Sequence, residues 1–200
     1  MPGKNRNLHG SAPDKSDTAL LLIDVINDLE FPEGNQILPF AHRMADCLAK
    51  LTDRARAADI PVIYVNDNFG RWRSDFRAQV EHCLNDGVRG EPIVDQLRPQ
   101  EDDYFVLKPK HSGFFSTTLD TLLEYLGVRT LVITGMATNI CVLFTANDAY
   151  MRDFRLVVPS DCVAANTEED NCYALEEMRT VLKADVRPAS EIQFPLQPLG

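Results

Sequence analysis

The chain has 200 residues, enough for one domain with a sizeable core, and its 20 lysines and arginines against 30 aspartates and glutamates leave a formal charge of -10. No basic run is present to neutralise a phosphate backbone, which argues against a nucleic-acid partner. No stretch approaches the roughly 20 consecutive apolar residues of a membrane helix, which argues against a membrane partner.

The segment from Met1 to Asp17 is polar and lacks the apolar centre of a signal peptide, so the expectation is a cytoplasmic protein with a polar arm over residues 1–17 and a single domain over 18–200. Thr18 to Ile23 (TALLLI) is a short apolar run ending at an acid, the signature of a strand covered on both faces. Ile60 to Asn66, Tyr104 to Lys108, Thr130 to Gly135 and Phe154 to Pro159 repeat that design, with β-branched or aromatic residues that stop at polar, Gly or Pro positions. A sixth strand is expected near Val186.

Between these runs, Phe40 to Ala58, Asp75 to Leu84, Thr118 to Leu126, Asn139 to Arg152 and Glu168 to Lys183 carry apolar residues at helical spacing. Thr167 reads as an N-cap, with Glu168, Glu169 and Asp170 in the first turn where the helix dipole favours negative charge. Gly87 to Asp103 is polar, holds two prolines and reads as a long loop near the crevice mouth. Alternating strands and helices predict an α/β fold: a Rossmann-like, three-layer αβα sandwich around a mainly parallel sheet of five or six strands. Its crevice should lie at the carboxyl ends of the strands.

Three chemistry-bearing residues fall on that edge. Asp24 follows the first apolar run, Lys108 ends the third, and Cys141 lies six residues beyond Gly135, near a helix start. A thiol needs help to act as a nucleophile at neutral pH, because free cysteine has a pKa of about 8.5. The helix N-terminus and Lys108 would favour the thiolate, and Asp24 could accept the thiol proton. Each residue also has a plain structural role open to it: Asp24 as an N-cap, Lys108 as a solvated strand-end charge, Cys141 as a buried helix residue. The five cysteines are odd in number, scattered and never in a C-x-x-C pair, which argues against a disulfide framework or a zinc site.

Over most of its length the chain resembles the isochorismatase-like cysteine hydrolases, which include nicotinamidases and N-carbamoylsarcosine amidases. The segments LLIDVINDL (Leu21 to Leu29), VLKPKHSGFFSTTLDTLL (Val106 to Leu123) and ITGMATNICVLFTANDAYMRDFRLVVPSDCVAA (Ile133 to Ala165) carry the resemblance in the family's order. It implies Asp24 as general base, Lys108 as the stabilising cation and Cys141 as nucleophile. It also implies a cis peptide at Met136–Ala137 that turns the backbone N–H groups of Ala137 and Cys141 into an oxyanion hole. The implied reaction is hydrolysis of a non-peptide C–N bond in a small amide, ureido or carbamoyl compound through a thioester on Cys141. Family members are commonly homo-oligomers, so a dimer or tetramer is the expectation.

The departures from the family pattern carry information. Nicotinamidases hold a metal with an acid and histidines after the second strand, whereas Val65 to Phe76 here reads VNDNFGRWRSDF with no histidine. Neither a metal nor any other cofactor is expected. The glutamine common two residues after the acid is Ile26, and the nearby aromatic position is Leu29. Candidate substrate contacts are Leu29, Phe69, His111 and the pair Arg71 and Arg73 flanking Trp72, which could bind a carboxylate beside an aromatic wall. Two other functions use the same scaffold. One is hydrolysis of a vinyl ether in an isochorismate-like acid; the other is a non-catalytic binding or thiol-sensing role for Cys141.

Overall fold

The computed structural model describes residues 15–70 and 75–196. Arg71, Trp72 and Arg73 lie outside them. The all-buried run Thr18–Ile23 is the central strand β1. Its side chains alternate between two separate cores, Leu20 and Leu22 in one and Ala19, Leu21 and Ile23 in the other. A strand apolar on both faces is what a sheet covered on both sides requires.

The remaining elements follow in chain order: α1 (Gly34–Ala57), β2 (Val62–Asp67), α2 (Phe76–Asn85), α3 (Glu91–Gln96), β3 (Tyr104–Lys108), α4 (Leu119–Leu126), β4 (Thr130–Met136), a five-residue π-helical turn (Thr138–Val142), α5 (Leu143–Tyr150), β5 (Arg155–Val157), β6 (Val163–Ala164) and α6 (Glu168–Thr180). The sheet runs β3-β2-β1-β4-β5, with β6 also paired to β4, and every pairing is parallel. One core packs β1 and β2 against α1, α2 and α3. The other packs the opposite sheet face against α4, α5 and α6. The fold is therefore the α/β sandwich with a parallel central sheet of six strands that the sequence pattern predicts.

Three local differences have physical causes. The sixth strand is Val163–Ala164, too short to show periodicity, and near Val186 only an isolated parallel bridge joins Asp185 to Val157. The segment read as a loop contains α3, whose proline stands in the first turn, where a missing N–H breaks no helical bond. Its Ile93 and Val94 are buried. Helix α1 begins six residues before the expected Phe40, because Pro39 lies near the helix start and sacrifices a single backbone bond. Thr167 caps α6, accepting the Asp170 N–H at 3.1 Å. Among the described residues no helix is long and apolar enough to cross a membrane.

Candidate active site

The carboxyl ends of β1, β2 and β3 and the turn after β4 deliver Asp24, Asp67, Lys108 and Cys141 to one place. Lys108 is the hub. Its Nζ lies 2.8 Å from Asp24 Oδ2, 3.5 Å from Cys141 Sγ and 3.6 Å from Asp67 Oδ2, with no exposed surface. The Asp24 carboxyl and the Cys141 thiol also interact directly.

Strand alternation accounts for Lys108 but not for Asp24. Val106 faces the core on the α4 side, so Lys108, two residues on, projects to that same side. Continued alternation along β1 would send Asp24 to the opposite face, with Leu20 and Leu22. Its φ of 52° breaks the strand there and redirects the carboxylate. That left-handed conformation costs a non-glycine residue roughly 1–2 kcal/mol. The Asp24 N–H donates to the Val65 carbonyl at 3.0 Å, and Asp24 Oδ1 accepts the Asp67 N–H at 2.7 Å.

Cys141 sits inside the π-helical turn, a wide turn that re-aims side chains and recurs at functional sites. Thr138 Oγ1 donates to Asn171 Oδ1 at 2.6 Å, tying this turn to α6. Thr145 Oγ1 donates to the Cys141 carbonyl at 2.7 Å and accepts the Gly113 N–H at 3.0 Å, so the loop after Lys108 and the thiol-bearing turn are joined. Gly113 permits this approach, since a Cβ there would stand 2.9 Å from Val65 Cγ1. The Met136–Ala137 peptide is cis, and the Ala137 carbonyl accepts from the Ile140 and Val142 N–H groups.

The electrostatics at the sulfur pull in two directions. Burial pushes the Cys141 thiol up to about 12, the Asp24 charge adds to this, and Lys108 only partly opposes it. Burial and Asp24 thus favour the protonated sulfur and Lys108 favours the thiolate. Burial likewise lifts the Asp24 carboxyl above its ordinary value, against the pull of Lys108 and its hydrogen bonds. Burial also works against the Lys108 charge, yet the neighbouring Asp24, with Asp67, holds it above the usual amine value. A raised carboxylate is a stronger base than a solvated aspartate.

His111 flanks the sulfur, with Nδ1 3.9 Å from Cys141 Sγ and its ring tilted against Phe144 at 5.5 Å. Phe69 is exposed at 48% beside Asp67, whose Oδ1 accepts the Phe69 N–H at 2.6 Å. Leu29, expected among the substrate contacts, is instead buried in the core on the α1 side at 1% exposure. Its φ of 57° and the Leu29 N–H bond to Asn27 Oδ1 turn the chain back at that point. Asp67 is the residue that the strand-end argument passed over, although it ends β2 as Lys108 ends β3. A nicotinamidase-type metal does not fit here. Asp67 is committed to Lys108 and Phe69, and among the described residues no three His, Cys, Asp or Glu side chains converge to hold an ion.

The Isochorismatase domain family matches residues 18–187. The chain belongs to the isochorismatase family. It is 43% identical to the uncharacterized isochorismatase family protein YaaI of Bacillus subtilis, over 89% of this chain and 97% of that protein. Identity to the ureidoacrylate amidohydrolase RutB of Methylorubrum extorquens is 30%, over 74% of this chain and 70% of that one. Among solved structures, the N-carbamoylsarcosine amidase of Thermoplasma acidophilum superimposes with a TM-score of 0.67 at 30% identity, over 88% of this chain and 99% of that chain. Family membership makes this protein a hydrolase.

Proposed function

We propose that the protein is a cysteine hydrolase that cleaves a non-peptide C–N bond in a small amide, ureido or carbamoyl compound through a thioester on Cys141. The observation that carries this reading is the convergence on Lys108 Nζ of an acid at 2.8 Å and a thiol at 3.5 Å. The reactions named for RutB and for the N-carbamoylsarcosine amidase support the bond type.

Cys141 Sγ attacks the substrate carbonyl as its proton passes to Asp24, and the carbonyl π electrons move to oxygen. The backbone N–H groups of Ala137 and Cys141 receive that oxyanion, and the Lys108 ammonium stabilises the developing charge. The C–N bond then breaks, with Asp24 returning its proton to the departing nitrogen as ammonia or an amine. Water attacks the thioester while Asp24 takes its proton. The C–S bond breaks and the thiol is restored. The raised thiol pKa gives Asp24 a necessary task, since the nucleophile must be deprotonated as it attacks.

A panel of small carboxamide, ureido and carbamoyl compounds assayed for ammonia release tests the proposal. Cys141→Ala is expected to reduce turnover to background, and mass spectrometry of quenched wild-type enzyme should find an acyl adduct on the Cys141 peptide. Equal turnover by the variant would remove Cys141 from the mechanism.

A further inference from the structure

We infer that Asn66 is a positioning residue for the reaction: its side-chain amide clamps the turn that carries Asp24 and so holds the base against Lys108 and Cys141. The inference rests on the hydrolase reading above. Asn66 is fully buried in β2, between the two residues that already hold Asp24 by their backbones. Val65 accepts the Asp24 N–H, and Asp67 donates its N–H to Asp24 Oδ1. Asn66 Nδ2 adds a third bond, donating to the Ile26 carbonyl at 2.7 Å. The turn is thereby fastened to one strand at residue 24 and again two residues beyond it, on either side of the left-handed φ that redirects the carboxylate.

An asparagine is a costly residue to bury here. By alternation with Tyr64, Asn66 faces the apolar core on the α1 side, and no donor among the described residues reaches its Oδ1. An apolar side chain of the same shape would remove that unpaired Oδ1 but would leave the buried Ile26 carbonyl without its donor, so the amide's one bond is what the position requires. What the amide supplies, and leucine cannot, is the N–H to Ile26. Releasing that bond frees the turn to relax from its left-handed conformation. The carboxylate would then retract toward the face that strand alternation favours, away from the thiol.

The test compares wild type with Asn66→Leu. Expected is a fall in kcat of about 10–100-fold with KM little changed, because misplacing a reacting group by about 1 Å has that effect. Some thermal stability should be lost with the donor to the Ile26 carbonyl, so both proteins are assayed well below the midpoint of Asn66→Leu. An independent readout needs no substrate: alkylation of Cys141 by iodoacetamide as a function of pH, followed by peptide mass spectrometry. The Asp24 charge helps to raise the thiol pKa, so its retreat should lower the alkylation midpoint relative to wild type and speed modification at pH 8. If Asn66→Leu does not fold, Asn66→Val, a smaller strand-favouring side chain, also removes the donor and buries no charge, and the same two changes are expected. An unchanged alkylation profile together with unchanged kcat in a folded variant would overturn the inference. A shifted profile with no turnover by wild type on the whole panel would instead leave the positioning role standing and sink the hydrolase substrate class.

Discussion

At Cys141 two fields oppose each other: burial and the Asp24 carboxylate hold the proton on sulfur, and the Lys108 ammonium favours its removal. The first pair prevails, so activity should follow the ionisation of the base rather than of the thiol. Asp24 must be a carboxylate to accept the proton, and its folded pKa lies above the ordinary 3.8. Activity is therefore lost as pH falls through that raised value, and the acid limb of a kcat/KM profile should stand above where a solvated aspartate would place it. Lys108 lowers the Asp24 pKa, so Lys108→Met should move the limb further up and reduce kcat by about 100-fold or more. A limb that stays in place in the variant would separate Lys108 from Asp24 electrostatically.

The elements owe their precision to a few close approaches. Gly135 in β4 faces Ile23 of β1 with φ 110°, and a Cβ there would stand 2.0 Å from the Ile23 carbonyl oxygen. Gly135→Ala should destabilise the fold by about 3 kcal/mol or more and shift the urea midpoint accordingly, because both backbone and space forbid the methyl. Behind the sheet, the buried Tyr64 hydroxyl donates to the Leu97 carbonyl at 2.8 Å, and Arg56 reaches both Tyr64 and Asp103. Tyr64→Phe should cost about 1–2 kcal/mol by leaving that carbonyl unpaired, while kcat stays unchanged because these bonds run to Leu97 and Asp103 and none reaches the turn that carries Asp24.

At the scale of the whole molecule, helix α1 does more than cover one sheet face. Its Arg54 donates to the Ala189 carbonyl at 2.6 Å and the Ile192 carbonyl at 2.8 Å, with Ile192 fully buried beneath. Residues 189–192 are thus fastened to the last turn of α1, and Asp161 adds a bond to the Ala189 N–H at 2.7 Å. Arg54→Ala should lower stability by about 1.5–3 kcal/mol, the usual worth of hydrogen bonds to a charged group. Limited proteolysis should then cut first near residues 189–192. Cleavage at the wild-type sites and rate would show that the clasp adds nothing.

The sequence alone determined the layer order and most of the strands, because apolar runs such as TALLLI can only be satisfied between two helical layers. It also placed Asp24 and Lys108 at strand ends and Cys141 a few residues past one, since that argument needs only where each run stops. The tertiary structure decided what depends on neighbours distant in sequence. It put Leu29 in the core, made Asp67 the second carboxylate on Lys108, and formed β6 from two residues that pair only with β4. It also decided the protonation of Cys141: local sequence offers a lysine and a helix start, but the raised pKa comes first from burial, a property of the packed molecule.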